Sequence, residues 1–128
     1  MLSAVFLVVI QLHNAAAQET PNAENVFRYI CEKGILHPEI VIKQAILESG
    51  WFKAPFLMKR NNIFAFRIKE YMHFKDWKAC VDYYKKWQDK HYKDHNEDYY
   101  NFLVRIKYAT PQYPIHVKKI KYTNKCND

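Results

Sequence analysis

The sequence is poor in glycine and lacks the patterns that mark several common catalytic sites. Only two of its 128 residues are glycines, Gly34 and Gly50. Because glycine adopts a positive φ without strain, we expect few left-handed backbone positions. No GxSxG sequence, phosphate-binding loop or Cys-His signature occurs. We therefore expect no cofactor.

Cysteine is also scarce, and its spacing argues against a metal cluster. Cys31, Cys80 and Cys126 form no CxxC pair, so a thiolate metal site is not expected. In an oxidising compartment one disulfide and one free thiol would be compatible with three cysteines, but the sequence does not give the pairing. Cys31 and Cys80 lie on apolar faces of predicted helices, where a buried free thiol is the ordinary outcome.

One histidine pair has the spacing of metal ligands on a helix. His91 and His95 are four residues apart, with Asp94 between them. The surrounding residues are strongly polar and no third ligand lies nearby in sequence, so the pattern is more typical of a solvated linker. We predict no metal site.

Residues 1–17 contain no Lys, Arg, Asp or Glu and have the character of a signal peptide. Residues 2–12 are an apolar run, and residues 15–17 are small alanines before Gln18, as at a cleavage site. The run is shorter than the roughly 20 residues that span a bilayer, so we expect no stable membrane insertion after cleavage. A buried N-terminal helix is the alternative, because no basic residue precedes the run. We predict a signal peptide at 1–17 and a single domain at 18–128, exported to the periplasm or the cell exterior.

The net charge of +7 therefore belongs to the predicted mature chain. A basic protein attracts anionic polymers and surfaces. Lys and Arg are spread along the chain without a dense run, and export argues against a nucleic-acid partner. Nearly half of the residues, 49%, are hydrophobic and 16% are aromatic, which predicts a compact domain with an aromatic-rich surface or groove.

Hydrophobic spacing predicts an α+β domain that is mainly helical, with about five helices and one small β-hairpin. The helix that begins at Pro38 is apolar on nearly all sides, which predicts a central, buried position. Gly34 is the expected cap of the preceding helix and Asp76 that of a later one. The predicted elements are helices at 22–33, 38–48, 76–90, about 98–107 and 115–122, with hairpin strands at 61–68 and 71–74.

Glu48 is the strongest candidate for chemistry. It ends the apolar helix, and its neighbours Leu47 and Trp51 should partly remove it from water. Desolvation raises the pKa of a carboxyl group, which suits a general acid near neutral pH. A solvated glutamate near a helix C-terminus is the alternative interpretation.

Four ordered blocks resemble the glucosaminidase domain of peptidoglycan hydrolases, the endo-β-N-acetylglucosaminidase family. The resemblance covers nearly all of the predicted mature chain and implies a lysozyme-like fold. The blocks are QAILESGWF (44–52), NNIFAFR (61–67), FKDWKACVDYYKKW (74–87) and YYNFLVRIKYATPQYPIHVKKI (99–120).

The resemblance implies roles for individual residues. Glu48 matches the catalytic glutamate that protonates the glycosidic oxygen, and Tyr108 matches the tyrosine close to it. The resemblance implies substrate-binding roles for Asn62, Phe64, Phe66 and Tyr113. We add Trp51 to the expected substrate-binding residues, because it follows Glu48 closely in the sequence. Core packing is the alternative for the two phenylalanines, because strand alternation would turn one of them inward.

Glycoside hydrolysis also needs a group that activates water or stabilises the positive sugar. Glu70, in the predicted hairpin turn, is the first candidate and Asp76 the weaker one. Otherwise the N-acetyl group of the substrate would assist. Ala65 departs from the family, which usually has glycine there, and its methyl group would crowd the groove or alter the strand bend.

We therefore predict a monomeric hydrolase that acts on peptidoglycan glycan strands and cleaves the β-1,4 bond after N-acetylglucosamine. Two alternatives remain. One is a lytic transglycosylase that uses a single glutamate. The other is a cell-wall glycan-binding module that keeps the fold and has lost activity.

Overall fold

The computed structural model describes residues 19–127, and within them it is mainly helical. The predicted signal peptide lies outside the described residues. The described helices are α1 (Ala23–Glu32), α2 (Pro38–Ser49), α3 (Pro55–Met58), α4 (Trp77–His91), α5 (Tyr99–Arg105) and α6 (Tyr113–Lys118). Helix α2 packs against α1 and α6, α4 packs against α1, and α5 packs against α6.

Short polar side chains begin three of these helices, because they satisfy backbone N–H groups that the first turn leaves unpaired. Asn22 and Asn25 form a reciprocal capping box at α1, with bonds of 2.8 and 2.9 Å. Asp76 accepts from the Ala79 N–H at 2.7 Å, which confirms its predicted role as cap of α4. Asp98 caps α5 in the same way. Pro38 is the first residue of α2, as predicted.

Helix α2 is the centre of the core, which confirms the prediction from its apolar sequence. Most of its apolar residues are buried, and the glutamine Gln44 is buried among them. Glu48 occupies its last turn and is half-buried. The core therefore fixes the position of Glu48 through the helix that carries it.

The predicted β-hairpin is not confirmed. Among residues 19–127 the structure has one isolated antiparallel bridge between Arg67 and Tyr71 and no named strand. The side chain of Asn62 takes the place of a strand ladder: it accepts from the Phe66 N–H at 2.9 Å and donates to the carbonyl oxygens of Phe66 and Met72 at 2.9 and 3.0 Å. The Phe66 carbonyl also accepts from the Met72 N–H at 3.0 Å, so Asn62 braces the two segments on either side of the short bridge.

The last helix is displaced from its predicted position. It begins at Tyr113, two residues earlier than expected, and ends at Lys118. Pro114 explains the early start, because proline is favoured in the first turn of a helix. After Lys118 the chain continues without regular structure to residue 127.

That tail is attached to α1 by a disulfide between Cys31 and Cys126, with a Cα–Cα distance of 5.5 Å. The expectation of a free thiol at Cys31 is wrong, because the tail packs on α1, where Tyr122 lies edge-to-face against Phe27. Cys80 is free and buried, as predicted. The bridge spans 95 residues, and chain entropy alone assigns a loop of this size about 4–5 kcal/mol of stabilisation.

The expectation of few positive φ angles is also wrong. Both glycines have positive φ, and so do six other described residues, namely His37, Trp51, Phe52, Asn61, Ala65 and Lys107. A left-handed conformation costs roughly 1–2 kcal/mol for a residue with a Cβ. Several of these positions lie beside residues of the candidate site, where backbone strain tends to occur.

Candidate active site

Glu48 lies in a partly desolvated position at the end of α2. Burial raises the pKa of Glu48 above its usual range, and a hydrogen bond from Tyr113 opposes that rise. Burial therefore favours the protonated carboxyl group, and the tyrosine limits the cost of ionising it. This agrees with the desolvation that the sequence predicted.

The chain turns sharply directly after Glu48. Gly50, Trp51 and Phe52 are all left-handed, with φ of 56°, 59° and 63°. Ser49 stabilises this turn, because its hydroxyl donates to the Ala45 carbonyl at 2.6 Å and accepts from the Phe52 N–H at 2.8 Å. The turn buries Phe52 in the core and leaves Trp51 46% exposed.

Tyr108 and Tyr113 come together against Glu48 from the segment between α5 and α6. Their rings are stacked with centroids 5.5 Å apart, and the charge of Glu48 contributes to the raised pKa of both, after burial. Tyr113 is 5% exposed. The Tyr108 hydroxyl donates to the Phe64 carbonyl at 2.6 Å, so its proton is held away from Glu48.

We use the name Glu48 face for five residues: Gln44, Glu48, Trp51, Tyr108 and Tyr113. Gln44 lies one turn before Glu48 on α2, and its Nε2 donates to the Tyr113 hydroxyl at 3.5 Å. The sequence analysis missed Gln44. Its signal is a glutamine in an otherwise apolar helix, four residues before the acid and so on the same side.

The three remaining predicted binding residues are buried. Asn62 and Phe64 have no exposed surface and Phe66 has 8%. The Asn62 amide is bonded to the backbone of its own loop, and the two phenylalanine rings pack on each other and on Tyr84. In this structure their side chains therefore serve the core and the loop, and their expected glycan contacts have no support from geometry.

Glu70 has a different setting. It is exposed and lines a cavity of about 280 Å³ whose other residues are mainly basic or aromatic: Phe56, Arg60, Arg67, Lys69, Tyr71 and His73. The Arg60 guanidinium lies 3.7 Å from the centre of the Phe56 ring. The interactions that shift the pKa of Glu48 are burial and the Tyr113 hydrogen bond, and Glu70 is not among them. Asp76, the weaker candidate, is engaged as the cap of α4.

Within residues 19–127 no group of three or more His, Cys, Asp or Glu side chains is arranged to hold a metal ion. His95 stacks on Tyr92, with ring centroids 5.3 Å apart, and His91 lies against Trp87. Both imidazoles thus pack on aromatic rings. Over the same residues, no helix combines the length and apolar character needed to cross a bilayer.

A helix-borne, partly desolvated carboxyl group near two tyrosines, with an exposed tryptophan three residues later in the chain, has the residue types of a glycoside hydrolase site. The model of the glucosaminidase family, described as mannosyl-glycoprotein endo-β-N-acetylglucosaminidase, matches residues 24–126. The chain therefore belongs to the glucosaminidase family of glycoside hydrolases, which confirms the resemblance seen in the sequence. The comparisons with curated proteins and with solved structures find no match.

Proposed function

We propose that this protein is an exported peptidoglycan hydrolase that cleaves the β-1,4 bond after N-acetylglucosamine, with Glu48 as the general acid. The observation that carries the proposal is the desolvation of Glu48, which raises its pKa at the position that matches the family's catalytic glutamate. A carboxyl group whose pKa is raised keeps its proton to a higher pH, and so can donate it to a leaving group.

In this mechanism the protonated Glu48 donates its proton to the glycosidic oxygen as the bond to the anomeric carbon breaks. The carboxylate that remains accepts the hydrogen bond of Tyr113, which offsets part of the cost of a charge away from water. The exposed indole of Trp51 offers a flat apolar face to a sugar ring beside the acid.

The second role falls to the substrate or to Glu70. Glu70 is exposed in its own cavity and does not contribute to the pKa shift of Glu48. This favours assistance by the N-acetyl group, whose carbonyl oxygen attacks the anomeric carbon before water opens the resulting ring. Glu70 remains the protein group to test.

Export is supported by the disulfide between Cys31 and Cys126, because such bonds persist in oxidising compartments. It agrees with the signal peptide expected at residues 1–17. We also propose that the protein acts as a monomer on glycan strands.

A zymogram with purified peptidoglycan, run with the wild type and Glu48→Gln, tests the hydrolase. Clearing by the wild type alone, with new reducing N-acetylglucosamine ends in the mass spectrum, supports it. Equal and weak clearing by both proteins, with retained binding to walls, would indicate a glycan-binding module instead.

The second candidate function is a lytic transglycosylase. The observation in its favour is again that no other acid is among the groups that shift the pKa of Glu48, because a single glutamate suffices when the sugar's own hydroxyl attacks. Anhydro-muramyl ends in the product spectrum would identify it and exclude the hydrolase.

A further inference from the structure

A chain of hydrogen bonds between buried side chains runs through the core and ends at the Glu48 face. We propose that this chain, which begins at the Leu36 backbone, forces the Tyr113 hydroxyl to act as the donor to the Glu48 carboxylate. The inference deepens the proposed function and rests on Glu48 being the general acid. Between the Leu36 backbone and Tyr113, the hydrogen-bond chain consists of Gln88, Tyr99, Tyr84 and Gln44.

The direction of the chain is set at its first link. The Leu36 N–H donates to Oε1 of Gln88 at 2.8 Å, and Nε2 of Gln88 donates to the Leu36 carbonyl at 2.9 Å. A peptide N–H can only donate and a carbonyl can only accept, so the Gln88 amide has one orientation. Its Nε2 also lies 3.0 Å from the Tyr99 hydroxyl and must donate to it.

The hydroxyl groups of Tyr99 and Tyr84 continue the same donor-to-acceptor order. A hydroxyl has one proton, and the Tyr99 oxygen already accepts from Gln88, so the Tyr99 proton goes to the Tyr84 oxygen that it contacts. The Tyr84 proton then goes to Oε1 of Gln44, the other oxygen in reach. If the Tyr84 proton went to Tyr99 instead, the buried Tyr99 proton would have no acceptor among the contacts of its hydroxyl, which are Gln88 and Tyr84.

The last link acts on the acid. Because Oε1 of Gln44 accepts from Tyr84, its Nε2 faces Tyr113 and donates to the hydroxyl oxygen at 3.5 Å. The Tyr113 proton is therefore free for Glu48 and cannot be drawn back to Gln44. The charge of Glu48 also contributes to the raised pKa of Tyr108. The Tyr108 hydroxyl donates to the Phe64 carbonyl, so Tyr113 is the tyrosine whose proton is available to Glu48.

Burial makes the direction persistent. The four side chains between Leu36 and Tyr113 are at most 1% exposed: Gln44, Tyr84, Gln88 and Tyr99. Water therefore cannot replace a lost partner easily, and an amide that turned over would leave unpaired polar groups in an apolar core. Gln44 and Tyr84 are thus positioning residues, since they act on Glu48 only through Tyr113.

The test is the titration of the Glu48 carboxyl carbon by NMR in Tyr84→Phe, with Tyr113→Phe and Tyr92→Phe for comparison. Tyr113→Phe removes the donor and should raise the pKa of Glu48. Tyr84→Phe releases the Gln44 amide, which can then accept the Tyr113 proton, so we expect a smaller rise in the same direction. Tyr92→Phe removes a buried hydroxyl outside the chain, bonded to Glu97 and His95 carbonyls, and should leave the titration unchanged.

A Tyr84→Phe titration equal to that of Tyr92→Phe would overturn the proposal. A measurement in the wild type avoids any folding defect of a variant. We expect a nuclear Overhauser contact between the Tyr113 hydroxyl proton and Glu48. A contact to the Gln44 amide alone would also overturn the proposal. The alkaline limb of glycan cleavage should move to higher pH in Tyr84→Phe. The NMR titration does not require catalysis. The proposed role of Glu48 as general acid is therefore tested separately, and it would fail if Glu48→Gln kept full activity.

Discussion

The Glu48 face and the Glu70 loop, residues 59–76, carry the same kind of side chain in opposite settings. Glu48 ends a core helix, is half-buried and receives a hydrogen bond from Tyr113. Glu70 is exposed at the rim of a mainly basic cavity, in a loop supported by Asn62. A carboxyl group becomes a general acid through its surroundings and not through its type, so the comparison identifies Glu48 as the acid to test first.

The largest effect should come from removing the two carboxylates in turn. Glu48→Gln keeps the shape and removes the proton donor, so we expect roughly a 10²–10⁴-fold loss of glycan cleavage. Glu70→Gln should cost less than about tenfold if the substrate assists itself. Rates of release of reducing ends give both values, and equal losses would make Glu70 the second catalytic carboxylate.

The next effect concerns the support of the Glu70 loop. Asn62→Ala removes three hydrogen bonds between a fully buried side chain and the backbone, so we expect a loss of about 2–4 kcal/mol in the free energy of unfolding. Asn101→Ala, on the exposed side of α5, should stay within about 0.5 kcal/mol of the wild type. Urea denaturation measures both, and a small loss in Asn62→Ala would mean that the loop does not depend on this amide.

Exposed aromatic rings distinguish the two regions as binding surfaces. Trp51 is 46% exposed beside Glu48 and Tyr71 is 36% exposed in the Glu70 loop. Trp51→Ala should weaken binding of an N-acetylglucosamine oligomer roughly tenfold, about 1.4 kcal/mol, with unchanged stability. Tyr71→Ala serves as the matched control in calorimetry, and a larger loss there would shift the glycan site to the Glu70 loop.

The Glu70 loop should also contain removable strain. Ala65 has φ of 56°, where glycine avoids the steric cost but adds entropy to the unfolded chain. We therefore expect Ala65→Gly to stabilise the fold by about 0.5–1 kcal/mol. Ala79→Gly, within α4, should instead destabilise it by a similar amount, and thermal unfolding compares the two.

The smallest effect is the contribution of Glu48 to the dependence of stability on pH. The pKa of Glu48 is raised in the folded state, so the wild type loses stability as pH rises through that raised pKa and the buried group ionises. Glu48→Gln has no such loss. The free energies of unfolding of Glu48→Gln and the wild type should therefore differ by a constant amount below about pH 4, where the glutamate is protonated in the folded and unfolded states. At higher pH the difference should grow in favour of Glu48→Gln. Parallel curves for the two proteins would contradict the desolvation of Glu48.

Local sequence predicted the elements whose causes are local. The apolar helix α2, its Pro38 start and the Asp76 cap all follow from neighbouring residues, and the structure confirms them. The ordered family blocks were likewise visible in the sequence, and the family model confirms that membership. The predicted hairpin is not confirmed: the described chain has one antiparallel bridge there, and the Asn62 side chain binds the backbone of both segments, which alternation of apolar residues cannot reveal.

Neighbouring residues are enough to specify the buried helix and the acid at its end, and the ordered blocks are enough to specify the family. The side chains that meet that acid depend on the packing of distant segments. Tyr113 is 65 residues away from Glu48 in sequence, Gln88 and Leu36 face each other across 52 residues, and Cys31 pairs with Cys126 across 95. Such contacts depend on how whole helices pack, because periodicity reports which side of a helix is buried and not which partner covers it.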